Sequence, residues 1–184
     1  VQLFPPQTRQ PPLIMRPFIS GRYYDTSLLT QPPTTKSTNA SFAEAYPFWV
    51  ATPAEIDLIG LEVLSGTGGG EAQLGAYNTL TTGLPGDRLF ATSKLDCSAT
   101  GFKSEALSYT FLPGVLYWIA VHTNASFSVR AVLSTVNIGL TSGSGSVYGT
   151  LVSDGTSPTE LEDPFDVNGG VSGGSHIAVR MRIA

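Results

Sequence analysis

Charge is scarce in this chain of 184 residues. Asp, Glu, Lys and Arg together make up 13% of it, about half of the roughly 25% usual for a globular domain. The solvent-facing surface must then be built mostly from Ser, Thr, Asn, Gln and Gly. The 14 acidic and 10 basic residues sum to −4. No basic run occurs, so a nucleic-acid backbone finds no electrostatic footprint and no such partner is expected. Long apolar runs are missing too. Nothing approaches about 18 consecutive apolar residues, so no membrane insertion through a helix is expected. The first residues lack the basic-then-apolar order of a secretory leader.

Cysteine is nearly missing as well. Cys97 stands alone, which excludes an intramolecular disulfide. The expectation is a small, half-buried thiol. A nucleophilic thiol needs a histidine partner, and the chain has two candidates, His122 and His176. His122 is expected where an apolar strand ends, and His176 at a solvent edge. Helical periodicity is also lacking, and Pro53–Ile56 is read as one helical turn at most.

What is there is a series of short apolar blocks separated by turn residues. Arg16–Tyr24 reads as a first strand and residues 25–41 as a polar loop. Phe42–Val50 is aromatic-rich, with Pro47 marking an edge or a bulge. Ile56–Leu64 alternates, with Ile59, Leu61 and Val63 on one face and Gly60, Glu62 and Leu64 on the other. Gly66–Gly70 reads as a hairpin connection. Gln73–Tyr77 turns Leu74 and Ala76 inward. Thr82–Asp87 is a tight turn in which Gly86 is free to take a positive φ. Arg88–Leu95 and Phe102–Phe111 are further strands. After a Pro-Gly turn, Leu116–Val121 is apolar on both faces, the mark of a central strand covered on two sides. Phe127–Leu133 alternates again. His176–Ile183 closes the chain, with Ile177, Val179, Met181 and Ile183 facing one way and His176, Ala178, Arg180 and Arg182 the other.

These patterns predict an all-β fold, a jelly-roll-like antiparallel β-sandwich over 16–184, preceded by an extended Pro-rich arm over 1–15. In the arm, Pro5, Pro6, Pro11 and Pro12 favour polyproline-like backbone. Leu3, Phe4, Leu13, Ile14 and Met15 are apolar anchors that a solvated linker would not need, so the arm is expected to contact a partner. Residues 134–175 form a variable Gly/Ser/acidic surface excursion with one short strand near Val147–Val152.

The blocks, in this order, resemble a β-sandwich domain of tailed-bacteriophage virion structural proteins, of the tail-fibre, head-fibre and minor-tail-protein type. The resemblance rests on Gly21-Arg-Tyr-Tyr24, Tyr46-Pro-Phe-Trp-Val50 and Leu58-Ile-Gly-Leu61. Further along it rests on Ala72-Gln-Leu-Gly-Ala-Tyr77, Gly83-Leu-Pro-Gly86 and Leu112-Pro-Gly-Val-Leu-Tyr-Trp-Ile-Ala120. Each motif is short; their order over residues 20–184 carries the likeness. It implies location in the virion and a homo-oligomer, often a trimer. It implies contact with capsid, collar or tail proteins, and it supplies no catalytic residues. The arm and the 134–175 segment depart from the pattern.

Catalytic chemistry finds little support in the residues. No Gly-x-Ser-x-Gly elbow lies between a strand and a helix, and Gly143-Ser-Gly-Ser146 sits in flexible surroundings, so no enzyme is expected. The sequence leaves open a carboxylate pair at the spacing of glycoside hydrolysis. Asp154, Glu160, Glu162, Asp163 and Asp166 are weak candidates for Ca²⁺ ligands, although a solvated acidic loop explains them and no cofactor is expected. Tyr117 and Trp118 are the candidate glycan contacts, since a regular strand must turn one of them away from the core. Two functions follow: an oligomeric virion subunit (fibre, decoration or tail-associated) anchored by its arm, or a receptor-binding module for a host surface glycan or protein. In the second, loops 65–71, 122–126 and 134–175 would make the contact.

Overall fold

The structure is a computed structural model that describes residues 18–25, 33–133, 140–141, 148–149, 151–153, 158–167, 171–172 and 175–184. The strands are β1 (Tyr23–Asp25), β2 (Pro33–Ser37), β3 (Phe42–Phe48), β4 (Ala54–Ser65), β5 (Glu71–Thr79) and β6 (Pro85–Ala91). They continue with β7 (Leu95–Asp96), β8 (Gly101–Phe111), β9 (Tyr117–Thr123), β10 (Ser128–Leu133) and β11 (Leu140–Thr141). The last are β12 (Tyr148–Gly149), β13 (Leu151–Ser153), β14 (Val171–Ser172), β15 (Ser175–Ile177) and β16 (Arg180–Ile183).

Two antiparallel sheets pack face to face as a β-sandwich. The first runs β1-β16-β4-β10-β15, with β2 beside β10 and β8 beside β4. The second runs β14-β13-β3-β9-β5-β6, with β7 beside β5. The core lies between them. Ile56, Ile59, Leu61, Val63, Val129, Ile177, Val179, Met181 and Ile183 come from the first sheet side, and Tyr46, Phe48, Leu74, Ala76, Ile119 and Val121 from the second. The alternation read in Ile56–Leu64 places Ile59, Leu61 and Val63, because residues two apart share a face, and Ile56 joins them across a register shift between Ile56 and Leu58.

β4 and β5 lie in different sheets, so Gly66–Gly70 is a crossover and not a hairpin. Packed sheets stand about 10 Å apart, which a two-residue turn cannot bridge. β4 starts at Ala54, so the expected helical turn at Pro53–Ile56 is strand instead. Gly86 belongs to β6, and the positive φ of the preceding turn falls on Gly83 at 84°. Gly86 is needed for space: a Cβ there would stand 2.4 Å from Asn78 Oδ1. The first strand starts only at Tyr23, after a turn that Arg22 N–H closes on Ile19 O at 3.1 Å. β2 falls inside the stretch read as a loop. Its sequence, PTTKS, has no apolar alternation; its partner β10 makes it a strand, through Thr35↔Arg130 and Thr34↔Ala131. Pro47 pairs with Trp118 in unbroken register, so there is no bulge, and it lies outside the Glu44–Ala45 stretch that β13 pairs.

The C-terminal run keeps its alternation but changes partner. β15 pairs with β10 and β16 with β4. The step falls at Ala178–Val179, where Ala178 N–H reaches Arg130 O at 3.0 Å. The run thus fills the gap where β4 and β10 diverge.

β9 lies between β3 and β5 and is buried along its whole length. Its inner side chains enter the main core. Its outer ones, with those of β3 and β5, form three rows: Pro47–Trp118–Tyr77, Ala45–Ala120–Gly75 and Ala43–His122–Gln73. Residues 158–167 lie across them as a strap, and Leu161 and Phe165 make a second apolar cluster with Tyr77, Trp118 and the alanines. The middle row is built from the smallest residues, so Leu161 fits over it. A Cβ at Gly75 would stand 2.8 Å from Leu161 Cδ1. Leu161→Ala should therefore cost about 2–5 kcal/mol, the range for truncating a buried leucine. Urea denaturation measures this, and a loss below about 0.5 kcal/mol, the range of a surface change, would mean that the strap is not part of the folded unit.

Candidate functional site

The strap fastens to the sheet by polar contacts as well as by Leu161. Tyr77 donates its hydroxyl to Glu162 O at 2.7 Å, and Gln73 Oε1 accepts from Leu161 N–H at 2.8 Å. His122 Nε2 lies 2.9 Å from Pro158 O. Arg88 donates its guanidinium to Leu161 O at 2.6 Å, and Asp163 Oδ1 accepts the Arg88 backbone N–H at 2.9 Å. His122 is thus a buried fastener inside β9, not a residue at its exit.

Tyr117 and Trp118 are 5% and 0% exposed. Tyr117 enters the main core and Trp118 lies in the strap cluster, so neither can stack on a glycan. A second layer of the same chain covers the outward ring. Glu160, Glu162 and Asp163 are exposed and Asp166 is half-buried. They border a groove of about 670 Å³ lined by Arg88 and the strap, yet no group of three or more potential metal ligands converges among the described residues. Asp154 and the arm anchors Leu3, Phe4, Leu13, Ile14 and Met15 lie outside the described residues. The 134–175 stretch is more than a surface excursion, because its strap part closes the second sheet.

The densest polar cluster is internal. Lys36 of β2 meets both carboxylate oxygens of Glu44 on β3, at 2.6 and 2.5 Å, and also donates to Ser175 O at 3.0 Å. The Tyr46 hydroxyl donates to the same carboxylate. His176 stacks on the Tyr46 ring with centroids 4.4 Å apart. His176 is buried, against its expected place at a solvent edge. Burial, followed by the adjacent Glu44 charge, pushes the Tyr46 hydroxyl well above its ordinary pKa. The neighbouring cavity is only about 10 Å³, too small for a substrate. The cluster ties an edge strand of one sheet to the other sheet. Sequence reading missed it because Lys36 and Glu44 look like ordinary surface charges.

Cys97 is fully buried rather than half-buried. Burial pushes its thiol up to about 11. It is therefore protonated at neutral pH and is no nucleophile.

Two exposed regions remain. Six large apolar side chains are exposed among the described residues: Ile19, Tyr23, Leu80, Phe102, Leu112 and Val115. Four of them sit at one end of the sandwich. Leu80 and Val115 flank the Thr79 hydroxyl bond to Leu116 O, Leu112 follows the Ala54↔Phe111 pair, and Ile19 lies beside Gly21, which bonds Ile183 O. Phe18, the first described residue, is at this end too, so residues 1–17 join the sandwich here. Loops at the opposite end are polar and stitched together. Asn124 bonds Glu71 N–H at 2.7 Å and Gly69 O at 3.1 Å, and Thr67 donates to Ser126 O at 2.7 Å.

Tyr23 and Phe102 stand instead on the outer face of the first sheet. Their rings meet edge to face, 5.6 Å apart at 88°. Arg180 lies 5.9 Å from the Phe102 ring centre and donates to Glu62 at 2.8 Å. Arg182 grips Asp57 at 2.7 and 3.0 Å, a contact that holds the Asp57 carboxyl below its ordinary pKa.

No protein-family model matches the chain, and a search of curated proteins finds no match.

Two outcomes are expected. Lys36→Met strands the Glu44 carboxylate and should cost about 3 kcal/mol, as for a broken buried ion pair. Lys36→Met with Glu44→Leu should recover most of that in urea titrations, and a neutral single variant would rule out the tie. The second outcome concerns pH. The unfolded thiol titrates near 9.0 and the folded one near 11, so between these values the unfolded chain binds fewer protons. Stability must fall as pH rises through this window. Cys97→Ala should flatten the fall in melting temperature between pH 9 and 11, and an unchanged slope would contradict the burial of the thiol.

Proposed function

We propose that the protein is a structural subunit of a phage-type virion, a homo-oligomeric sandwich anchored to the particle by its N-terminal arm. The observation that carries this reading is the polarity of the sandwich. Four exposed apolar side chains, Ile19, Leu80, Leu112 and Val115, gather at the end where the arm joins, and the opposite end carries polar loops. Arm and end together offer one apolar footing. Leu3, Phe4, Leu13, Ile14 and Met15 would bury against a neighbouring virion protein, and the prolines limit the entropy lost on docking. The loop end would point outward. The buried polar groups serve the fold, which also favours assembly over catalysis. The resemblance of the ordered blocks to tailed-phage structural domains supports the same reading and suggests a trimer.

Deleting residues 1–15 should leave a folded domain that no longer joins particles. Melting temperature and particle incorporation in a complementation assay read the two effects separately. Replacing Leu80, Leu112 and Val115 by Ser in the full chain should also reduce incorporation without unfolding the domain. Normal incorporation of the arm deletion would overturn the reading.

A further inference from the structure

We propose that the outer face of the first sheet carries a binding site for a single neutral pyranose ring, at Tyr23, Asp25, Phe102 and Arg180. These four residues line an open pocket of about 400 Å³, within the size range of small-molecule sites. Its aromatic walls are exposed, Tyr23 by 47% and Phe102 by 38%. They stand at 88° to one another, forming a corner. One face of a pyranose presents only C–H bonds, whose partial positive charge suits the negative face of an aromatic ring. Its rim presents hydroxyls, which both donate and accept. The Asp25 carboxylate accepts and the Arg180 guanidinium donates, so the rim meets both partners at the polar side of the corner.

The site is also pre-formed. Tyr23 and Asp25 sit opposite Arg182 and Arg180 in the β1–β16 register. Each arginine is held by a β4 carboxylate, Glu62 for Arg180 at 2.8 Å and Asp57 for Arg182 at 2.7 Å. Gly60 of β4 makes room for the aromatic wall, since a Cβ there would stand 2.7 Å from Phe102 Cζ and 2.4 Å from Lys103 O. Walls that are already ordered lose little entropy on binding.

The occupant follows from charge and size. Glu62 is shared by Arg180 and Arg130, and Asp57 holds Arg182. With Asp25 beside them the three arginines and three carboxylates balance, so the face favours neither sign and a neutral sugar fits. Two exposed rings are too small a patch for a stable second copy, which needs about 800 Å² on each partner. The site is independent of the arm-bearing end, so it does not rest on the anchoring proposal.

The test is saturation-transfer NMR on the full chain with methyl glucoside, methyl galactoside, methyl mannoside, methyl rhamnoside and N-acetylglucosamine. At least one should receive saturation, strongest at its ring C–H protons. Tyr23→Ala and Phe102→Ala, checked for an unchanged melting temperature, should each weaken binding by about tenfold, equivalent to about 1.4 kcal/mol. Phe102→Tyr should bind as the parent does and guards against a folding artefact. No transfer to any of the five sugars would overturn the proposal, as would transfer that persists in both alanine variants. A dimer in sedimentation that Phe102→Ala dissolves would overturn it too, by assigning the patch to a second copy.

Discussion

Seven consecutive residues of β9, Tyr117–Thr123, are buried, so this strand needs cover on both sides of its sheet. The inner cover is the first sheet, through Ile59, Leu61, Val129 and Met181. The outer cover is the strap, through Leu161 and Phe165. Apolar area removed from water is worth roughly 25 cal/mol per Å², so an uncovered outer face carrying Trp118 and Tyr77 would be a standing liability for aggregation. The row Ala45–Ala120–Gly75 follows from the same demand, because only small residues let the strap approach. Gln73, Tyr77 and His122 satisfy strap backbone groups that burial would otherwise strand. Residues with the look of an active site therefore have structural work to do.

Polar groups recur at the seams. Lys36, Glu44 and Tyr46 join an edge strand to the facing sheet, and Arg88 with Asp163 ties the strap to β6. The Lys36–Glu44 and Arg88–Asp163 contacts each join different elements, while Tyr46 braces Glu44 from within β3. A buried ion pair adds little net stability over apolar packing, yet losing one partner is costly. Such contacts fix which edges meet more than they add to overall stability. Among the described residues, large exposed apolar side chains fall at the end of the sandwich that carries Ile19, Leu80, Leu112 and Val115 and at the Tyr23–Phe102 corner on the first sheet.

Much of this was legible in the chain. Ile59, Leu61 and Val63 alternate and face the core. Leu116–Val121 is apolar on both faces and lies at the centre of its sheet. The Ile177–Ile183 alternation survives a change of partner. These signals are legible because period-two burial is local: each residue reports its own face. Strand β2, the strap and the Lys36–Glu44 tie were not legible. A PTTKS strand has no pattern of its own, and an acidic segment with Leu161 and Phe165 looks like any polar loop until the trough beneath it exists.

The residues by themselves determined the all-β class, the positions of most strands and the central place of the Leu116–Val121 strand. They also determined that the single cysteine could form no internal staple. Only the tertiary structure decided that Gly66–Gly70 crosses between sheets, and that Trp118 is roofed by its own chain rather than offered to a ligand. It likewise decided that the exposed aromatic corner belongs to Tyr23 and Phe102. The reason is physical. Alternation says which residues share a face, but what covers that face is set by segments distant in sequence, and neither the period nor the composition of a strand encodes its cover.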